Sequence, residues 1–120
     1  MEILIVESNP ALGGLWRRHM ERQGMCVALA RGQDAAIEVL RERRVDVIVL
    51  NLFLAEGSAL AVADFASYRH PETRIVFVTD TSFFSDGSIF AICANARAFL
   101  QSDMAPEDLT AMVAHYGDET

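Results

Sequence analysis

The stretch Val45-Asp46-Val47-Ile48-Val49-Leu50-Asn51-Leu52 decides the fold. From Val45 to Leu50 it is apolar but for Asp46 and rich in β-branched residues, the composition of a strand buried on both faces. Strands of that kind belong to parallel sheets, whose connections cross over through helices. The sequence on either side supplies those helices. Upstream, Gln33 to Arg43 has helical spacing with Ala36, Ile37 and Leu40 turned inward. Before it, Met25 to Ala30 reads as a strand. The chain starts with another apolar run, Ile3 to Val6, followed by the turn and helix-start residues Ser8, Asn9 and Pro10. From Pro10 to Gln23, the residues Leu12, Leu15, Trp16 and His19 fall on one stripe, and Gly24 closes that helix.

Downstream of the central strand the alternation continues. Ser58 to Tyr68 reads as a third helix, and Arg74 to Val78 as a fourth strand after the Pro71 turn. A fourth helix is expected over Ser85 to Asn95, and a short fifth strand over Ala98 to Leu100. Pro106 suits the first turn of a last helix, where Glu107 and Asp108 complement the helix dipole. About five apolar strands alternating with about five helices imply a doubly wound α/β fold, a parallel sheet with helices on both faces. In such open sheets the functional crevice lies at the carboxyl ends of the strands, where strand order reverses. The residues to interrogate are therefore Glu7 and Ser8, Asn51, Thr79 and Asp80, and Gln101 to Asp103.

Composition narrows the function classes. A chain of 120 residues, 52% hydrophobic and 22% charged, is expected to form one compact domain over residues 1–120. No apolar stretch approaches the ~20 residues that span a bilayer, and Met1-Glu2-Ile3-Leu4 lacks a basic leader, so a cytoplasmic protein is expected. The net charge of -7 argues against nucleic acid, because a chain of this sign is repelled by phosphate backbones. A protein partner is expected instead, with no membrane association. Cys26 and Cys93 lie far apart in apolar surroundings, without C-x-x-C spacing, and read as reduced core thiols. The basic runs Arg17-Arg18 and Arg41 to Arg44 fall late in expected helices, where cations suit the dipole.

The segments Ile-Leu-Ile-Val-Glu-Ser-Asn-Pro (residues 3–10), Val-Asp-Val-Ile-Val-Leu-Asn-Leu (45–52), Arg-Ile-Val-Phe-Val-Thr (74–79) and Ala-Arg-Ala-Phe-Leu-Gln-Ser-Asp-Met-Ala-Pro-Glu-Asp-Leu (96–109) resemble the receiver domain of two-component response regulators. The likeness runs from Ile3 to about Tyr116. It implies a flavodoxin-like sheet and a role in phosphorelay signalling. It also implies two acidic residues after the first strand, an aspartate ending the third, a hydroxyl residue ending the fourth, and a lysine then a proline after the fifth. Here those positions hold Glu7 and Ser8, Asn51, Thr79, and Ser102 and Asp103. Ala55 and Ala59 replace a proline and a glycine expected after the third strand.

These departures fall on the chemistry. Receivers take a phosphoryl group from a histidine kinase onto the third-strand carboxylate, whose anionic oxygen attacks phosphorus while magnesium neutralises charge. Asn51 offers a carboxamide, which hydrogen-bonds but forms no stable acyl phosphate. Of three acidic positions only Glu7 remains, although magnesium wants hard anionic oxygens. Ser102 removes the cation that would contact the phosphoryl group, and Thr79 alone is kept. The resemblance therefore implies a pseudo-receiver: a non-enzymatic, phosphorylation-independent interaction module with a degenerate pocket of Glu7, Ser8, Asn51, Thr79 and Ser102, and no cofactor. The Ser102–Asp103 peptide, lacking the proline, is expected to be trans.

Rival readings attach to the same residues. Asn51 would lock the pocket if it hydrogen-bonded Thr79 or Ser102. Glu7, Asp80 and Asp103 would form a small acidic site if they converged, although consecutive residues of a strand point to opposite faces and Asp80 reads more simply as a solvated loop acid. A small-ligand or metal sensor using the crevice is the alternative function. His19 reads as a partly buried helix residue, and His70 and His115 as surface residues. Gly13-Gly14 matches no phosphate-binding loop pattern and reads as a weak point of the first helix. Phe83, Phe84, Phe90 and Phe99 lie near the fourth helix and fifth strand, and the resemblance makes the surface of fourth helix, fifth strand and fifth helix the usual dimer and effector face. An apolar patch there would bind a signalling protein or a second copy of the chain.

Overall fold

The computed structural model of the protein describes residues 1–79 and 95–118. Its element order is β1 (Glu2–Val6), α1 (Pro10–Arg22), β2 (Cys26–Ala30), α2 (Gln33–Glu42), β3 (Val47–Asn51), α3 (Ala59–Arg69), β4 (Arg74–Thr79), β5 (Ala96–Gln101) and α4 (Pro106–Gly117). All strand pairings are parallel, in the order β2-β1-β3-β4-β5. The expected helix over Ser85 to Asn95 falls outside the described residues except for Asn95, which lies in a turn. Asp80, Phe83, Phe84, Phe90 and Cys93 also lie outside them.

The continuous apolar runs are explained by two cores. Leu4, Val6, Ile48, Leu50, Ile75 and Phe77 point to one face and pack with Ala36 and Leu40 of α2 and Val62 and Ala66 of α3. Ile3, Ile5, Val47, Val49, Val76 and Val78 point to the other, against Trp16 and Met20 of α1 and Leu109 and Val113 of α4. β1, β3 and β4 thus have no solvent face, and each fully buried Val, Leu or Ile contributes about 1.5–3 kcal/mol to folding. The helices start where the sequence signals them. Asn9 Oδ1 accepts from the amides of Ala11 and Leu12, Pro10 opens α1, and Gly24 adopts φ +86° just past its end. Ser58 Oγ accepts from Ala61 N at α3, and Pro106 opens α4.

Several expectations are corrected in detail. β3 begins at Val47 rather than Val45 and extends to Asn51, and β5 runs from Ala96 rather than Ala98. A register shift between β4 and β5 accounts for the latter: Ile75 pairs with Ala96 but Val76 with Ala98, leaving exposed Arg97 as a bulge that disguises the strand. Cys26 is exposed at the start of edge strand β2, not a core thiol. His70 is half-buried rather than a surface residue: its Nε2 lies 2.8 Å from the Leu40 carbonyl oxygen, tying α3 to α2. Arg17 and Arg41 pair with Glu21 and Glu38 on their own helices. Among the described residues, no helix is long and apolar enough to cross a membrane, and no peptide bond is cis.

Candidate functional site

Strand order reverses between β1 and β3, which are neighbours although β2 lies between them in sequence. Two polar side chains meet at that point. Glu7 follows β1 directly, its amide bonded to Ala30 O, and its side chain is buried, at 3% exposure. Asn51 is the last residue of β3 and is half-buried. Asn51 Nδ2 donates to Glu7 Oε1 at 2.7 Å, and the backbone amide of Asn9 donates to Glu7 Oε2 at 2.9 Å. Both carboxyl oxygens therefore face donors. The carboxamide is used at both ends as well, since Asn51 Oδ1 accepts from Phe53 N at 2.9 Å.

Of the rival readings, the lock of Asn51 onto Thr79 or Ser102 is not the one seen: the Asn51 side chain is bonded to Glu7 and Phe53 N. The register explains the difference: Asn51 pairs with Val78 on β4, so Thr79 stands one residue further along, whereas Glu7 follows the adjacent β1. Thr79 is fully buried, and its carbonyl accepts from Ser102 N at 2.7 Å. Ser102 is half-buried in the turn after β5. The carboxyl ends of β1, β3, β4 and β5, with the turns that follow β1 and β5, thus bring Glu7, Ser8, Asn51, Thr79 and Ser102 to one end of the sheet.

Ser8 is engaged from both sides. Its hydroxyl donates to Arg31 O at 2.8 Å and accepts from Ala55 N at 2.9 Å. Gln33, which sequence reasoning passed over, continues the same seam: its amide donates to Glu56 O at 3.2 Å and its Oε1 accepts from Ser58 N at 2.8 Å. Asn9 was read only as a helix-start residue, yet its amide completes the shell of Glu7. The Gln33 contacts leave no local signal, because they join loops brought together by the sheet, whereas the Asn9 contact spans only two residues of the turn after β1.

A divalent cation fits this donor set poorly. Magnesium takes oxygen ligands and favours carboxylates, but Glu7 is the one acid of the β1 and β3 ends and its oxygens are taken by N–H donors. Among the described residues, no group of three His, Cys, Asp or Glu side chains is placed to hold a metal ion. Asp103 is exposed in the turn before α4. Phe99, on β5, is half-buried, and its ring stacks on Phe77 with centroids 6.4 Å apart, which draws it toward the core of the α2–α3 side. A cavity of about 520 Å³ lies away from the crevice, between α1 and α4, against His19, Gln23, Thr110 and Ala114.

A family model described as the response regulator receiver domain matches residues 3–114. Among curated proteins, the chain is 31% identical over 107 residues to the alginate biosynthesis transcriptional regulatory protein AlgB of Pseudomonas putida, covering 89% of this chain and 24% of that protein. It is 28% identical over 111 residues to the response regulator protein PilR of Pseudomonas aeruginosa, covering 92% and 25% respectively. The chain thus spans about a quarter of the length of these relatives. Among solved structures, it is similar to the non-phosphorylated HemR receiver domain of Leptospira biflexa, with a TM-score of 0.87, 19% identity, and 99% and 95% of the two chains covered. A CheY-like receiver domain protein of Methanospirillum hungatei gives a TM-score of 0.87 at 20% identity, covering 98% and 93%.

Proposed function

The chain belongs to the response regulator receiver domain family, and from that membership we propose that it acts as a receiver without a phosphoryl group, a non-enzymatic module of two-component signalling that works by protein contact. The observation that carries this reading is the bond from Asn51 Nδ2 to Glu7 Oε1. An acceptor of a phosphoryl group must offer an anionic oxygen to phosphorus. At the end of β3 there is instead a carboxamide whose nitrogen is turned to the neighbouring acid and whose oxygen is held by Phe53 N. Ser102, without a cation, stands beside Thr79.

The same bond replaces what charge neutralisation would otherwise have to do. A carboxyl group at 3% exposure needs donors, since an unsatisfied buried acceptor costs about 1–3 kcal/mol and a charged one more. Asn51 and the Asn9 amide meet that need internally. The pocket of Glu7, Ser8, Asn51, Thr79 and Ser102 is then a fixed structural joint rather than a reaction site. Output passes through a protein partner, a signalling protein or a second copy of the chain, at the face that includes β5 and α4.

The test is incubation of the chain with acetyl phosphate and magnesium, followed by intact-mass spectrometry, together with amide NMR during titration with magnesium and then beryllofluoride. The expected result is no phosphoryl adduct and no saturable shifts at Glu7, Asn51 or Thr79 at millimolar magnesium. A stoichiometric adduct, or saturable shifts at those residues, overturns the proposal.

A further inference from the structure

The loop that joins β3 to α3 is solvent-exposed over Ala55 to Ser58, yet it is tied down at four of its residues. Phe53 N donates to Asn51 Oδ1, Ala55 N to Ser8 Oγ, and Ser58 N to Gln33 Oε1, while Glu56 O accepts from Gln33 N. Ser8 Oγ in turn donates to Arg31 O. The backbones approach so closely that a Cβ on Gly32 would stand 3.0 Å from Glu56 O. Three strand-end loops, after β1, β2 and β3, are therefore joined through two side chains.

We infer that Ser8 and Gln33 form a clamp that fixes the loop Leu52–Ser58 in one arrangement without any ion or phosphoryl group, so that this wall of the crevice is permanently set. The inference rests on the phosphate-independent reading and deepens it. The chemistry at position 8 is specific. The bridge needs a group that donates to the Arg31 carbonyl and accepts from the Ala55 amide through one atom, which a hydroxyl does. An ionised carboxylate, the group expected at this position of a phosphorylated receiver, accepts only, and would face the Arg31 carbonyl oxygen with no hydrogen to offer. Replacing acid by serine thus exchanges a cation ligand for a loop fastener.

Amide hydrogen exchange of the whole chain by NMR tests the clamp. In the unmodified protein the Ala55 amide exchanges at least about tenfold more slowly than in an unstructured peptide, and Ser8→Ala raises its rate by about tenfold or more, with Val49 and Leu50 unchanged as internal controls. Ser8→Thr, which keeps the hydroxyl, stays within about threefold of the unmodified rate. An unprotected Ala55 amide in the unmodified protein, or equal rates with Ser8→Ala, overturns the clamp. Those results leave the phosphate-independent reading standing, because that reading fails on the separate magnesium and beryllofluoride titration.

Discussion

Asn51 Nδ2 lies 2.7 Å from Glu7 Oε1, so the two strands that flank the reversal of strand order are fastened at their carboxyl ends by a carboxamide and a buried carboxyl group. The geometry depends on which partner donates. Asn51→Asp keeps the shape, retains an acceptor for Phe53 N, and turns the bond to Glu7 into an oxygen–oxygen contact. A loss of about 1–3 kcal/mol at pH 7 is expected. Glu7→Gln should cost about 1–2 kcal/mol, since one of its two donors then meets an N–H. Urea unfolding followed by fluorescence of Trp16, the one tryptophan and 1% exposed, measures both.

The left-handed glycines separate backbone strain from collision. Gly24 has φ +86° and nothing within 4 Å of an added Cβ, so Gly24→Ala should cost about 1–2 kcal/mol from conformation alone. Gly57 has φ +82° and an added Cβ there would collide with Gln33 Cβ. Gly57→Ala should therefore cost clearly more, about 3 kcal/mol or above. Equal urea midpoints for the two variants would refute the packing of the β3–α3 loop against Gln33.

The glycine pair inside α1 points the other way. A Cβ at Gly14 meets only Arg18 Nη1 at 3.6 Å, so Gly14→Ala should stabilise the protein by about 0.5–1 kcal/mol. At Gly13 the added carbon falls 2.9 Å from Leu29 Cδ1 and the gain is reduced by that contact. A higher thermal midpoint for Gly14→Ala than for Gly13→Ala is the expected order.

Much of the fold was legible because its determinants are local. The runs Ile3 to Val6 and Val47 to Leu50 are apolar at consecutive positions, as a strand covered on both faces requires, and Asn9 and Ser58 mark helix starts through caps they make themselves, Pro106 through its fixed φ in the first turn. β5 was half read because the Arg97 bulge breaks its pattern. The site divides in the same way. That Glu7, Ser8, Asn51, Thr79 and Ser102 meet follows from strand order, so their positions could be named from sequence. Which of them bond could not: the Asn51–Glu7 pairing depends on a one-residue difference in register, and the Gln33 contacts join residues brought close only after α2 and α3 have packed.

Cys26 gives a direct check on burial. Its position in an apolar strand suggested a core thiol, but it opens an edge strand and its side chain is exposed. In the native protein it should react with a water-soluble maleimide at a rate near that of a small-molecule thiol, and peptide mass mapping should find the label on Cys26 within the fast phase. Labelling of Cys26 only upon denaturation would contradict the placement of β2.

Restoring the acceptor alone should not restore the reaction. Asn51→Asp supplies the nucleophilic oxygen, but the neighbouring positions still lack what phosphoryl transfer needs, because Ser8 is bonded to Arg31 O and Ala55 N and no cation stands at Ser102. Transfer relies almost wholly on positioning and charge stabilisation, and losing such a contact typically costs several orders of magnitude in rate. Asn51→Asp should therefore show no phosphoryl adduct with acetyl phosphate and magnesium on the timescale of minutes. The triple variant Ser8→Asp, Asn51→Asp and Ser102→Lys, which returns the second acid, the acceptor and the cation together, should acquire one. Intact-mass spectrometry decides between them. An adduct on the single variant would mean that Glu7 and Thr79 suffice to organise the phosphoryl group, and that the serine at position 8 is no barrier to it.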